Sequence, residues 1–156
     1  MKKLFAFFFA LIIFPVSAQT GETTEGCLYS KDEIEAAFGG EVTKIYGTKI
    51  SDARWVGSKI LFCHYVVRSS SMSSLSLVLS TSGKNTELPK KLLDPWMMGT
   101  KPIPSDPDGA LWRIAGPSSL HLIYFRGNTQ TKIDITHDQS QLTDLKRQAL
   151  LLRRVP

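Results

Sequence analysis

The chain has 156 residues, with 19 lysines and arginines against 14 aspartates and glutamates, and two cysteines. This length and this weak positive charge argue against a multidomain protein and against a strongly basic nucleic-acid binder. No segment is apolar over the roughly 20 residues that span a bilayer, so an integral membrane protein is not expected either.

The first eighteen residues have the three-part layout of a secretory signal peptide. A basic start, Met1-Lys2-Lys3, precedes the apolar run from Leu4 to Pro15 and the small residues of Val16-Ser17-Ala18. Cleavage after Ala18 leaves 138 residues and, by removing two lysines, lowers the formal net charge from +5 to +3. The short start and the cleavage site are typical of bacteria, so the sequence predicts a periplasmic protein. A flexible polar leader is expected over 19–26 and a single domain over 27–156.

An oxidising compartment favours a disulfide, and the only possible pairing is Cys27 with Cys63. The alternative is a reactive thiol at Cys63 with the neighbouring His64 as its base. Adjacent residues of a strand point to opposite faces, which favours the disulfide.

A short helix begins after Ser30, because Ser30 and Glu33 form a capping box, and it ends at Gly39-Gly40. Strands follow over 42–50, 60–68 and 75–79, with a serine-rich hairpin loop between the second and third. A helical turn is expected over 88–93.

The last third of the chain predicts three more strands, over 110–115, 120–126 and 130–136. Gly127-Asn128 is a hairpin signal between the last two. Asp138 and Gln141 then offer a second capping box before an apolar helical stripe, which comprises Leu142, Leu145, Ala149 and Leu152. Runs of neighbouring strands predict an α+β fold, an antiparallel sheet of about six strands with an N-terminal and a C-terminal helix packed on one face.

Motifs of catalysis or metal binding are not apparent. The three histidines, His64, His121 and His137, lack metal-ligand spacing, and no nucleophile elbow or phosphate-binding loop is present. Asp106 and Asp108 resemble a fragment of a calcium loop, but the sequence favours a turn there. We therefore expect no catalytic residues, no metal and no cofactor.

Two strands are apolar on both faces. Phe62, His64 and Val66 oppose Cys63, Tyr65 and Val67, and His121, Ile123 and Phe125 alternate with leucines and a tyrosine in the same way. A sheet covered by helices on one side normally has a polar second face. Either the second face is covered too, or it keeps an apolar patch for a partner, with Trp55, Trp96, Met97 and Met98 as further candidates near loops.

The run Cys27-Leu28-Tyr29-Ser30-Lys31-Asp32-Glu33-Ile34-Glu35-Ala36-Ala37-Phe38-Gly39 and the later Cys63-His64-Tyr65 resemble small exported proteins related to actinobacterial lipoproteins of unknown function. The stretch from Pro104 to Trp112 and the hairpin at Arg126-Gly127-Asn128 are similar in layout. The resemblance implies a fold and a disulfide, and it carries no catalytic residues. This chain departs from the group because it lacks the cysteine of a lipoprotein cleavage site.

These observations lead to a periplasmic domain that binds another protein of the cell envelope. The specific expectation is an inhibitor or immunity protein that occludes a cell-envelope hydrolase. The loops over 69–74 and 81–91 are candidate contact segments. The candidate partner-binding residues are Ser71, Met72, Lys84, Asn85, Trp96 and Met97.

Two other functions remain open. The first is a small-ligand or envelope-component binder with a cavity lined by Phe62, Phe125 or Trp112. The second is an enzyme with a site around His64 or His121. No nucleic-acid partner is expected, and the sequence does not predict the oligomeric state.

Overall fold

Within the part of the chain that the structure describes, a seven-stranded antiparallel sheet and two helices make up the fold. The structure, a computed structural model, describes residues 26–53, 58–82, 99–127 and 129–155. The predicted signal peptide, most of the predicted leader and the helical turn predicted over 88–93 lie outside these ranges. No helix within the described residues is long and apolar enough to cross a membrane.

The first helix, α1 (Lys31–Phe38), confirms the predicted capping box. The Ser30 hydroxyl accepts a hydrogen bond from the Glu33 N–H at 3.2 Å, and the Glu33 carboxylate accepts one from the Ser30 N–H at 2.8 Å. This contact with Ser30, aided by Arg153, lowers the pKa of Glu33. The helix ends at Gly39, and the chain then turns through Gly40 (φ +98°), where a Cβ would lie 2.7 Å from the Arg68 carbonyl oxygen.

The strands follow one another with short connections in most places. Their bounds are β1 (Glu41–Ala53), β2 (Ser58–Arg68), β3 (Met72–Ser82), β4 (Lys101–Pro102), β5 (Leu111–Ile114), β6 (Ser119–Arg126) and β7 (Thr129–His137). Their order across the sheet is β1-β2-β3-β7-β6-β5-β4, so β3 in the first half pairs directly with β7 in the second. The predicted antiparallel α+β class is confirmed. The sheet has one strand more than predicted, because the two-residue β4 adds to β5 at the edge.

The second helix, α2 (Leu142–Leu151), begins differently from the prediction. Asp138 and Gln141 do not form a capping box. The Asp138 carboxylate instead accepts a hydrogen bond from the Ser140 N–H at 3.2 Å, within a 3-10 turn over Gln139–Gln141. The helix then starts without a side-chain cap.

One face of the sheet, which we call the core face, supplies most of the apolar core. Cys63, Tyr65 and Val67 of β2 are at most 4% exposed, and alternate residues of β3 and β7 are buried in the same way. Strand β6 differs, because five consecutive residues, Leu120 to Tyr124, are buried and the strand is therefore covered on both faces. The same core cluster contains Ile34 of α1 and Leu145 of α2. The burial of every second residue in β2, β3 and β7 explains why apolar and polar residues alternate in the sequence of these strands.

Two β-bulges rotate strand ends into this core. In β3 the register shifts between Met72 and Ser74, so Met72 lies opposite the buried His137 although the other core residues of β3 have odd numbers. In β1 a shift between Val42 and Lys44 has the same effect on Val42. Each bulge adds a buried apolar side chain that strict alternation would place on the opposite face.

A junction at the middle of β2 holds the segment before α1. Cys27 is bonded to Cys63, with the Cα atoms 5.6 Å apart, which confirms the predicted disulfide. Two residues further along both segments, the Tyr65 hydroxyl donates to the Tyr29 carbonyl at 2.9 Å and accepts from the Tyr29 N–H at 3.3 Å. Burial raises the pKa of Tyr65 to about 12, so this hydroxyl keeps its proton.

We expect removal of the disulfide to destabilise the fold substantially. The 36-residue separation of the cysteines predicts a loss of about 3–4 kcal/mol in the free energy of unfolding in the chain-entropy model. Urea unfolding of the oxidised protein and of a C27A/C63A double variant measures it. Thiol labelling of the unfolded, unreduced protein provides the check on pairing, since labelling of both cysteines would contradict the bond.

Candidate functional site

The face of the sheet opposite the core face, which we call the second face, carries a continuous row of polar and ring-bearing residues. Strand register places them side by side, one from each of six strands. We call them the polar row, in order across the sheet Tyr46, His64, Ser76, Asp134, His121 and Arg113. Such a row exists only in the folded sheet, because its members are far apart in the sequence.

Rings cluster at the β1 end of this row. The rings of His64 and Phe62 are nearly parallel, with centroids 6.3 Å apart, and the Tyr46 ring lies 6.2 Å from His64. The Lys44 ammonium lies 5.1 Å from the centre of the Tyr46 ring. Tyr46 is 45% exposed, whereas Phe62 and His64 are half-buried. We call Tyr46, Phe62 and His64 the aromatic patch.

The middle of the row contains a short contact between a histidine and a serine. Nδ1 of His64 lies 2.7 Å from the Ser76 hydroxyl, and Ser76 is directly opposite Asp134 on the next strand. This contact fixes the orientation of the His64 ring and therefore the geometry of the aromatic patch.

A charged cluster lies at the β6 end. Nε2 of His121 is 3.4 Å from Asp134 and 3.2 Å from the Ser119 hydroxyl, and the Lys132 ammonium is 2.9 Å from the same carboxylate. His121 is 8% exposed. Burial, together with the positive charges of Lys132 and Arg113, lowers the pKa of His121 against the opposing effect of Asp134. His121 is therefore neutral in the folded protein at neutral pH.

The row does not build the relay of a nucleophilic hydrolase. Such a relay uses one imidazole nitrogen for the nucleophile and the other for the carboxylate. Here Nε2 of His121 faces both the serine and the carboxylate, while its Nδ1 is buried without a hydrogen-bond partner. Backbone N–H groups of central strands are engaged in the ladder, so they do not offer an oxyanion hole. The arrangement suits recognition better than acyl transfer.

Asp106 and Asp108 form a turn held by arginines, as the sequence favoured. The Asp106 carboxylate accepts hydrogen bonds from the Asp108 and Ala110 N–H groups at 3.0 and 3.1 Å. Its other oxygen binds Arg154, whose guanidinium also lies 4.4 Å from the Tyr124 ring centre, and Arg126 binds Asp108. Within the described residues, no group of three or more histidines, cysteines, aspartates or glutamates is placed to hold a metal ion.

A surface groove of about 340 Å³ lies between the helices. Its lining residues are Glu33, Ala36, Ala37, Leu151, Leu152 and Arg153. None of Phe62, Phe125 and Trp112, the residues expected to line a ligand cavity, belongs to this groove.

Of the sequence-predicted contact residues, the structure describes Ser71 and Met72. Ser71 is half-buried, and its N–H donates to the Ser69 hydroxyl at 3.1 Å. Met72 is 1% exposed, so its side chain belongs to the core and not to the surface of the hairpin loop, because the bulge turns it inward. Lys84, Asn85, Trp96 and Met97, as well as Trp55 and Met98, lie outside the described residues.

Sequence reasoning missed Tyr46 and Ser76. An apolar second face on β2 and β6 was visible in the sequence, but only strand register brings Tyr46 beside His64. No protein-family model, no curated protein and no solved structure matches this chain. The resemblance to lipoprotein relatives therefore stays an expectation drawn from the sequence.

We expect Arg154 to be worth more to stability than its neighbour Arg153. Arg154→Gln leaves the carboxylate of Asp106, which is 4% exposed, without its cation, and this should cost about 3 kcal/mol. Arg153→Gln breaks an ion pair with Glu33 whose side chains are 51% and 34% exposed, and should cost about 1 kcal/mol or less. Urea unfolding of both variants compares them, and equal losses would contradict the assignment.

A second prediction concerns pH. The ordinary pKa of histidine is 6.5, and the folded protein holds that of His121 below this value. As pH falls below 6.5, the unfolded chain gains a proton that folded His121 resists, so the free energy of unfolding decreases. His121→Gln should flatten this decrease, which begins as pH falls below the ordinary histidine pKa of about 6.5. Unfolding at several pH values measures it, and NMR titration of His121 at or above 6.5 would contradict it.

Proposed function

We propose that this protein is an exported protein-binding domain that uses the second face of its sheet to occlude a cell-envelope hydrolase, as an inhibitor or immunity protein. In this arrangement both helices pack on the core face, and the part of the second face formed by β1 and β2, where Tyr46 is exposed, docks on the target. The aromatic patch is the observation that carries the proposal.

The composition and exposure of the aromatic patch support a protein contact. Tyrosine is over-represented among residues that dominate binding energies, since it presents a large rigid area with a polar tip. Tyr46 exposes 45% of its surface on an otherwise ordered strand. Its neighbours His64 and Phe62 are held in place, so a partner would meet a preformed surface with little ordering cost.

The predicted compartment supports a target in the cell envelope. The signal-peptide layout of residues 1–18 predicts export, and the Cys27–Cys63 bond is of the kind that persists in oxidising compartments. Small exported domains without a catalytic constellation include inhibitors of envelope hydrolases. The polar row, which lacks the geometry of a relay, is consistent with such a role.

Binding through the sheet also favours occlusion as the mechanism. The patch lies on β1 and β2, and β2 is paired with a strand on each side, which fixes its backbone. The contact between His64 and Ser76 fixes the His64 side chain. A rigid convex or flat surface can fill the mouth of a cleft and exclude the substrate without chemistry of its own. No residue of this chain needs to act as acid, base or nucleophile.

The test is inhibition of purified envelope hydrolases of three classes, a muramidase, a peptidoglycan amidase and a periplasmic protease, by the purified exported protein. One of them should be inhibited at a one-to-one ratio. Tyr46→Ala should weaken that inhibition about 30-fold, the loss expected when a central aromatic anchor is truncated. Tyr46→Phe should retain most of the inhibition, since the ring is kept.

The matched control is Ile114→Ala. Ile114 is 54% exposed but lies opposite Leu120, on the core-face side of β5. This variant should inhibit like the unchanged protein. Equal losses for Ile114→Ala and Tyr46→Ala would reject the second face as the contact. If none of the three hydrolases is inhibited, the proposed function is rejected.

A further inference from the structure

The end of α2 exposes two adjacent leucines. Leu150 is 41% exposed and Leu151 is 70% exposed, and both are among the most exposed large apolar residues of the described chain. Single exposed leucines are common on protein surfaces. Leu151 lies at the rim of the groove between the helices, whose α1 wall presents the small side chains of Ala36 and Ala37. An apolar projection therefore lies beside an apolar depression on the same surface.

The charges of the two helices are opposite. Helix α1 carries Asp32, Glu33 and Glu35 against a single cation, Lys31. Helix α2 and the residues directly after it carry Lys146, Arg147, Arg153 and Arg154 against a single anion, Asp144, and Arg154 is bound to Asp106. Within one chain this complementarity already forms a contact, since Arg153 binds Glu33. Lys31 binds Glu35 as well, so Asp32 on α1 and Arg147 on α2 remain as exposed opposite charges for a contact between two copies.

We propose that this surface, which consists of α1, α2 and the groove between them, binds a second copy of the same chain about a two-fold axis. In a two-fold contact the same patch serves both partners, so α1 of each copy meets α2 of the other. Asp32 of each copy then faces Arg147 of the other, and Leu151 of each copy enters the groove of the other. The projection, the depression and the paired charges all satisfy the self-complementarity that such a contact requires.

The size of the surface sets the expected strength. Helices of eight and ten residues are about 12 and 15 Å long. A contact between two such pairs lies at the small end of specific interfaces. We therefore expect a reversible dimer with a dissociation constant on the order of 10–100 µM. This surface and the aromatic patch lie on opposite sides of the sheet, so the dimer does not depend on the proposed inhibition and does not block it.

Sedimentation equilibrium of the exported protein from about 1 to 500 µM, a range that brackets this constant, tests the proposal. The unchanged protein should dimerise, and Leu151→Glu should weaken dimerisation at least about 30-fold, because a buried anchor becomes a charge. Ile114→Glu is the matched control, since Ile114 is also an exposed apolar residue but does not line the groove, and it should dimerise normally. Circular dichroism confirms that each variant is folded.

Charge reversal tests the arrangement of the helices. Asp32→Lys and Arg147→Glu should each weaken the dimer by about 3- to 5-fold, and the double variant should recover most of that loss. A protein that stays monomeric at 500 µM, or equal losses for Leu151→Glu and Ile114→Glu, would overturn the proposal. Failure of the double variant to recover would overturn the two-fold pairing of α1 with α2.

Discussion

The buried hydroxyl of Tyr65 makes the contact on which the arrangement of two segments depends, the one before α1 and the one after α2. It binds the N–H and the carbonyl of Tyr29, next to the Cys27–Cys63 bond, and so fixes the segment from which α1 begins. Tyr29 in turn donates its own hydroxyl to the carbonyl of Arg153, just after α2. The Tyr124 hydroxyl makes the same pair of contacts with Val155, since it donates to the Val155 carbonyl and accepts from the Val155 N–H. Tyrosine hydroxyls therefore satisfy backbone groups that irregular segments would otherwise bury without partners.

Local signals predicted much of the fold, because caps and alternation are written in neighbouring residues. The capping box of α1, most strand positions and the disulfide follow from such signals. Strand β4 could not be predicted in this way, since its two residues, Lys101 and Pro102, are too few to show an alternation of apolar and polar residues. The predicted capping box at the start of α2 was wrong, because the Asp138 carboxylate accepts a hydrogen bond from the Ser140 N–H within a 3-10 turn instead. The choice depends on the approach of the chain from β7, which local sequence does not encode.

The candidate site could be predicted only in part, since its geometry is a matter of register. The apolar second face of β2 and β6 was evident from alternation. The position of His64 between Tyr46 and Ser76 could not be predicted, because the pairing partners of a strand are set by the whole sheet. Met72 shows the converse. Its loop-like surroundings predicted exposure, but one extra residue in the ladder moved it to the core face. A single bulge thus decides whether a side chain stabilises the fold or is offered to a partner.

The separation of the two faces explains how such a small domain can carry a binding surface at all. On the core face, the central residues Tyr65, Leu75 and Leu77 are fully buried and supply the apolar burial that offsets the entropy of folding. The second face contributes less burial around β1 and β2, so its residues can be selected for shape and chemistry at a small cost in stability. Because neighbouring residues of a strand alternate between the faces, each residue of the aromatic patch has at least one core residue next to it, Ile45 beside Tyr46 and Cys63 beside Phe62 and His64. His64 lies between Cys63 and Tyr65, the two residues of β2 that hold the segment before α1, so the backbone at the centre of the aromatic patch is fixed by the core beneath it.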